Sequence, residues 1–269
     1  MLKINNWWLN HRLMSGWLYV AILLGLIPAC GNQDTPVAKA SLVTEPPQTD
    51  TLPPAYSVSK DYLLGKFDPA MHPDFVVVGK PYSDKPGMML RKEAFDAFQQ
   101  MWESARKDGI TLRVISSTRT FDQQKNIWEG KWNRFAKDAP APLDRARKIL
   151  EYSSMPGSSR HHWGTDIDLN DLNNPSFEAG GAHEKVYQWL VAHAHEYGFC
   201  QPYTPSRANG YKEEKWHWSY TPLSMPFLQQ YQSTITNADI QGFQGAQLAA
   251  DVHAVEHYVL GIGEACVAK

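Results

Sequence analysis

The chain has 269 residues, 43% of them hydrophobic, 20% charged and 12% aromatic, enough apolar material for a packed core in one large domain or two small ones. Ordinary glycine and proline counts with that aromatic share exclude collagen-like, coiled-coil and wholly disordered chains, and three cysteines are too few for a disulfide scaffold. The 26 basic and 28 acidic side chains leave a net charge of −2, without the cationic excess that a dedicated nucleic-acid binder needs.

At the amino terminus, Lys3 and Arg12 precede an uncharged apolar run from Leu13 to Ala29, interrupted by Ser15, Gly16, Gly25 and Pro28. The run is short for a membrane span and has the length of a signal-peptide core. It ends Leu26-Ile27-Pro28-Ala29-Cys30, which resembles the lipobox of bacterial lipoproteins. That resemblance implies that residues 1–29 are a signal peptide, that Cys30 is lipidated, and that the lipid is the protein's only attachment to the membrane. An uncleaved anchor is the alternative, and it too leaves the body of the protein outside the cytoplasm. Gly31 in the following position favours, by the usual sorting pattern, the periplasmic side of the outer membrane in a two-membrane cell. Residues 30–59, rich in Thr, Pro, Gln and Ser, read as a flexible tether.

From about Asp61 the pattern is that of a folded domain. Ala94, Phe95, Phe98, Met101, Trp102 and Ala105 predict a helix over 91–107, closed by Asp108-Gly109. A short strand follows at 112–116, then a helix over 120–136 with Phe121, Ile127, Trp128 and Trp132 on its apolar side. After a break at Pro140 and Pro142 come a short helix to Tyr152, a loop over 153–164 and a strand at 165–170. Val186, Trp189, Leu190 and Ala194 predict a helix over 183–197, residues 215–220 alternate like a strand, and 248–260 reads as a terminal helix. Helices and short strands in this order, without βαβ spacing, indicate an α+β fold with a small antiparallel sheet flanked by helices. The domain is expected over 60–232, with 233–269 as a helical extension packed on it.

Three clusters carry chemistry. In Ser159-Arg160-His161-His162-Trp163-Gly164-Thr165-Asp166-Ile167-Asp168 a histidine pair runs through a glycine into a strand with two carboxylates on one face. Imidazole and carboxylate suit zinc, and a catalytic zinc keeps three protein ligands and an open position. In Glu213-Glu214-Lys215-Trp216-His217-Trp218-Ser219-Tyr220 a histidine is flanked by bulky rings that exclude water. In Ser116-Ser117-Thr118-Arg119-Thr120-Phe121-Asp122-Gln123-Gln124 an arginine stands at a strand-to-helix turn, where its fork can meet a carboxylate or oxyanion. On these residues alone both histidines and both aspartates remain candidates.

Together the clusters resemble the VanY-type zinc D-alanyl-D-alanine carboxypeptidases. The pattern Ser-x-His-x-x-Gly-x-x-x-Asp falls on Ser159, His161, Gly164 and Asp168, and Glu-x-Trp-His-x-x-Tyr falls on Glu214, Trp216, His217 and Tyr220. Ser116, Arg119, Thr120 and Gln124 match the segment expected upstream, so the resemblance covers roughly residues 90–222. It implies a LAS-type metallopeptidase fold with one zinc per chain on the sheet, held by His161, Asp168 and His217. It makes Glu214 the general base, Arg119 the partner of the scissile carbonyl or terminal carboxylate, and Ser117, Gln124, Ser159 and Tyr220 substrate-binding residues. Asp166 stands where a small residue is more usual and is a competing ligand candidate. The implied substrate is the peptidoglycan stem peptide, trimmed of its terminal D-alanine by a monomer. A cross-link endopeptidase is the alternative, its groove blocked or not by the insert Asn170 to Gly181 and the tail, and a non-enzymatic zinc-containing wall-binding lipoprotein is a further one.

Two points fall outside these motifs. With Cys30 lipidated, Cys200 and Cys266 form an even pair in an oxidising compartment, and a disulfide between them is expected. His253-Ala254-Val255-Glu256-His257 fits an inverted zinc motif, but Val252, Val255 and Val259 form the apolar stripe there and turn both histidines to solvent.

Overall fold

The computed structural model describes residues 56–267, so the signal-peptide and lipidation expectations and nearly all of the tether lie outside the described residues. In chain order the elements are α1 (Lys60–Leu63), β1 (Phe75–Val77), β2 (Met89–Arg91), α2 (Lys92–Lys107), β3 (Val114–Ser116) and α3 (Phe121–Arg134). They continue with α4 (Pro142–Ile149), β4 (Asp166–Leu169), α5 (Glu184–His193), β5 (Phe199–Cys200), β6 (His217–Tyr220) and α6 (Thr221–Thr234). Strands β1 and β2 form a hairpin, and the other four make an antiparallel sheet in the order β3-β4-β6-β5. This is the α+β class expected. No described helix is long and apolar enough to cross a membrane.

The helices form where local pattern and capping agree. In α2, Ala94, Phe98, Met101 and Ala105 recur on one face and are buried. Helix α3 opens with a capping box, the Thr120 hydroxyl accepting from Gln123 N–H while the Gln123 side chain accepts from Thr120 N–H. Its buried stripe is Gln124, Trp128 and Trp132. The sheet is two-faced. Ile167, Leu169 and Trp218 join α2 and α5 in one apolar core, with Phe98, Met101, Trp189 and Leu190. A second core gathers α1, α3, α4, α6 and the C-terminal segment around Trp128, Trp163, Phe227 and Tyr231. The polar face of the sheet lies between them.

Three regions differ from the sequence reading. Helix α6 follows β6 directly, in a stretch to which the sequence reading assigns no element. Pro222 lies in the first turn, where its missing N–H is not needed, and Leu223, Phe227 and Tyr231 supply a buried stripe that outweighs the bond lost at Pro226. The expected helix over 248–260 is a 3₁₀ turn at Ala246–Leu248 and a π-helical turn at Ala254–Val259. Between them His253 adopts φ 53°, which ends any regular helix. Asn237 captures that turn, its Oδ1 accepting from Val255 N–H at 2.9 Å. The end of the expected tether is also docked, because Val58 N–H donates to Gln230 Oε1 at 3.0 Å on α6. Cys200 on β5 and Cys266 in the last turn are joined by a disulfide across 66 residues.

Candidate metal centre and its cleft

Register in the sheet builds the site. Asp168 on β4 pairs with His217 on β6, and Asp166 pairs with Ser219. Alternation puts these four side chains on the polar face. His161 arrives from the 3₁₀ turn Arg160–Trp163, which Gly164 closes with φ 75°. A Cβ at Gly164 would meet Phe75 Cε1 at 2.4 Å, so both conformation and space require glycine. One donor atom each from His161, Asp168 and His217 lies within 4.8 Å of the others, and all three residues are buried.

Outer partners decide which ring atoms face the centre. His161 Nδ1 lies 2.8 Å from the Ser117 carbonyl, which only accepts, so Nδ1 carries the proton and Nε2 the lone pair. His217 Nε2 lies 2.8 Å from Asp166 Oδ2. Its Nδ1 then faces Asp168 Oδ1 and Glu214 Oε2, each at 3.3 Å. Second partners of this kind are the usual support of metal-binding histidines. His161 Nε2 and Asp168 Oδ1 are buried with no hydrogen-bond partner. Two orphaned inward acceptors side by side are costly unless a cation joins them. Two imidazoles and one carboxylate with room for a further ligand fit zinc.

The competing ligands are committed elsewhere. Asp166 accepts from Thr165 Oγ1 at 2.7 Å and Ser219 Oγ at 2.8 Å through one oxygen, and from Arg160 Nε at 3.1 Å and His217 Nε2 through the other. It orients His217 instead of competing with Asp168. His162 Nδ1 donates to the Arg119 carbonyl at 2.7 Å and its Nε2 accepts from Gly157 N–H at 3.0 Å, so no nitrogen is free. The rings of His253 and His257 lie 4.7 Å apart, tilted by 42°, and no third donor joins them among the described residues.

The charges form one system. Burial lowers His161 to about 4, Arg119 adding to the effect, and burial lowers His162 to about 3. Burial also works against a charged His217, yet the hydrogen bonds its ring donates to Asp166 and Glu214 and the charge of Asp168 raise it to about 9. Burial would raise both aspartates, but Arg160 and His217 hold Asp166, and His161 and His217 hold Asp168, well below the usual carboxylate range. Burial pushes Glu214 up, with His217 opposing and Asp168 adding. Three carboxylates around two imidazoles stabilise positive charge at this spot.

Glu214 reaches the cluster through a turn. His217 N–H donates to the Glu214 carbonyl at 3.3 Å, so the chain bends before β6 begins. Glu213 turns the other way and lies 3.8 Å from Lys215 Nζ. Arg119 sits between β3 and α3, with Nη1 donating to Gln124 Oε1 at 2.9 Å and Nη2 lying 3.6 Å from Asp168 Oδ2. Gln124 is fully buried and also donates to the Ser154 carbonyl at 2.8 Å, so it holds Arg119 from outside the lining of the cleft. Ser117 and Ser159 are buried with unpartnered hydroxyls, outside the lining of the cleft. Tyr220 is on the opposite face of β6, against Phe199 on β5, and the substrate-binding expectation for it is corrected by that alternation.

The centre opens on a cavity of about 570 Å³ whose walls include Arg119, Asp168, Glu214, Lys131, Tyr152 and Trp216. Leu172 to Pro175 of the insert form one side, and Asn174 pins it, accepting from Lys215 N–H at 3.1 Å and donating to the Glu213 carbonyl at 2.7 Å. No described residue of the C-terminal segment lines this cavity. Ile127, Tyr152 and Leu172, all exposed apolar side chains, line it. Lys131, Tyr152 and Ser153 were not singled out in the sequence. The available signal was the α3 spacing, which puts Ile127 and Lys131 one turn apart on the flank of the Trp128 stripe.

A buried His–Asp–His donor set on an antiparallel sheet, with a carboxylate and an arginine beside it, defines a metallopeptidase-type centre. The family model for VanY, described as D-alanyl-D-alanine carboxypeptidase, matches residues 87–223, half of the chain, and the chain belongs to that family. A putative carboxypeptidase, YodJ, of Bacillus subtilis is 30% identical over 171 residues, covering 61% of this chain and 58% of the relative. A D-alanyl-D-alanine carboxypeptidase of Enterococcus faecalis is 27% identical over 130 residues, covering 46% of each. The chain thus spans about half the length of the curated relatives it matches. Among solved structures, VanYB in complex with D-alanine-D-alanine superposes with a TM-score of 0.46 at 22% identity, over 62% of this chain and 92% of that one. The LdcB LD-carboxypeptidase gives 0.46 at 23% identity, over 72% and 81%.

Proposed function

We propose that this protein is a zinc-dependent D-alanyl-D-alanine carboxypeptidase that removes the terminal D-alanine from peptidoglycan stem peptides, with one zinc per chain. The observation that carries the reading is the convergence of two orphaned buried donors, His161 Nε2 and Asp168 Oδ1, with His217 Nδ1 beside the buried carboxylate of Glu214. When bound at such a site, zinc supplies Lewis acidity toward water and a peptide carbonyl. Glu214, raised by burial, takes a proton from the attacking water and passes it to the departing amine. Arg119, braced by Gln124 and Asp168, offers its guanidinium to the oxygen on which negative charge develops. Asp166 keeps His217 in the tautomer that presents Nδ1 inward.

The residues around Cys30 support an exported, lipid-anchored protein facing the cell wall, its catalytic domain spaced from the membrane by the tether. The test is mass spectrometry of purified muropeptides incubated with the zinc-loaded protein. Loss of one terminal D-alanine is expected, abolished by chelation. Separation of cross-linked strands would instead make it an endopeptidase, and no change would leave a wall-binding protein.

A further inference from the structure

Three cationic side chains line the cavity beside the donor cluster: Arg119, Lys131 and Lys85. Two have partners of their own. Arg119 bridges Gln124 and Asp168, with its buried Nε left unpartnered. Lys85 is exposed and donates to the Ile115 carbonyl at 2.7 Å. Lys131 differs from both. It extends from α3 one turn beyond Ile127, is half-buried, and donates to the hydroxyl of Ser153, which is itself 7% exposed. Among the described residues no carboxylate forms an ion pair with it. An ammonium has three donors, and a single neutral acceptor leaves most of that capacity and all of the charge unanswered. Burial holds its pKa below the usual lysine range, opposed by Glu214 and assisted by Arg119 and Arg134. An anion arriving in the cleft relieves that penalty.

The division of labour follows from position. Arg119 faces Asp168, at the donor cluster, where a scissile carbonyl has to lie. Lys131 is not one of the donor cluster and lines the cavity from the helix wall, where the exposed Ile127 and Tyr152 of the same lining offer an apolar surface to a small side chain. A carboxypeptidase substrate brings two oxygens needing stabilisation, the carbonyl that is attacked and the free carboxylate one residue on. We infer that Lys131, steadied by Ser153, binds the free C-terminal carboxylate of the substrate, leaving Arg119 to the scissile carbonyl. This rests on the carboxypeptidase reading above and deepens it, because an ammonium left unpaired by an amidated or cross-linked terminus disfavours internal cleavage.

The experiment compares two peptides with the zinc-loaded full chain: diacetyl-lysyl-D-alanyl-D-alanine with a free C-terminal carboxylate, and the same peptide as its carboxamide. For the unaltered protein the acid is expected to have a higher kcat/KM by about tenfold to a hundredfold, the range for losing a charge-assisted bond to a buried partner. In Lys131→Met the acid should lose about that factor, chiefly through KM, while the amide is unchanged, so the preference collapses. Lys131→Arg should retain most of it, and Ser153→Ala should weaken the acid alone, by about a few-fold. An acid-over-amide preference that survives in Lys131→Met overturns the inference, as does an equal fall for both peptides, which marks a structural role. If Lys131→Met does not fold, Ser153→Ala and Lys131→Arg decide by the same ratio. If the unaltered protein cleaves neither peptide, the carboxypeptidase reading fails by itself. Calorimetric binding of the two peptides then judges Lys131: a preference for the acid lost in Lys131→Met supports it, and no preference or an unchanged one overturns it.

Discussion

At the scale of single residues, Glu214 and its neighbour separate the enzymatic reading from the binding one. Glu214 is buried against His217, whereas Glu213 is partly exposed beside Lys215. Glu214→Gln keeps size and hydrogen bonding but cannot accept a proton, so zinc and fold should be retained while D-alanine release falls at least about a hundredfold. Glu213→Gln should stay near normal, and normal release by both variants would remove the general-base role. The ring commitments make a second expectation. Zinc content, read by atomic absorption, should be lost in His161→Ala and His217→Ala and kept in His162→Ala, whose nitrogens are both taken by backbone groups. Asp166→Asn should keep the metal with an affinity lower by about 10- to 100-fold, since it disturbs only the outer partner.

His162 also sets a pH dependence. Its pKa falls from the ordinary 6.5 to about 3 through burial, so the unfolded chain binds a proton that the folded chain refuses between those values. The neutral ring's contribution is therefore fully present above about 6.5 and is lost as pH falls through the window toward 3, with a slope of at most about 1.4 kcal/mol per pH unit. Urea unfolding of the metal-free protein at pH 7, 6, 5 and 4 should show this decline, and His162→Gln should make it shallower, leaving the share of His161, which burial also lowers. An unchanged slope in that variant would assign the decline to other groups.

At the scale of elements, the loop that carries His161 is held from two sides. Tyr231 on α6 donates to the Gly157 carbonyl at 2.8 Å, and Phe227 packs edge-on to Trp163 with ring centroids 6.5 Å apart. On the other side Gly65, with φ 74°, lets the chain pass His162 so closely that a Cβ there would lie 2.3 Å from its Nδ1. Phe227→Ala, at a side chain 1% exposed, should cost about 3–5 kcal/mol by chemical denaturation, the range for an emptied aromatic site. A loss below about 1 kcal/mol would mean that α6 is not a support of the site. Helix α6 shows why this element was not legible beforehand. Its Leu223, Phe227 and Tyr231 stripe was present, but two prolines argue against a helix locally, and only a hydrophobic partner such as Trp163 tips the balance. The C-terminal turn is the converse case. Valines at helical spacing were present, but the segment wraps the domain and bonds to Asn237, and those tertiary contacts replace a regular helix.

At the scale of the whole molecule, the disulfide ties the last turn to β5. Closing a loop of 66 residues is worth about 4 kcal/mol in the chain-entropy model. Cys200→Ser and Cys266→Ser should each lower stability by about that amount, with zinc content unchanged because neither cysteine borders the donor cluster. Retention of full stability in both would show that packing of Val252, Val255 and Val259 alone secures the C-terminal segment.

The order of the motifs, the residue types in them and the alternation of β4 were open to reading along the chain, because each depends on neighbours two to four positions away. On those residues alone both histidines and both aspartates stayed open, and the resemblance to the VanY-type family chose His161, Asp168, His217, Glu214 and Arg119. Other decisions depended on partners distant in sequence. Ser117 fixes the His161 proton across 44 residues, and Asp166 fixes that of His217 across 51. Pairing of β4 with β6 makes Asp166 a supporting carboxylate and turns Tyr220 away from the site. Lys131 gained its place in the cleft only when Ser153 was brought against α3. Local periodicity determines which side chains share a face; which of their atoms stay free is decided by hydrogen bonds formed when the strands and helices meet, and those contacts exist only in the folded chain.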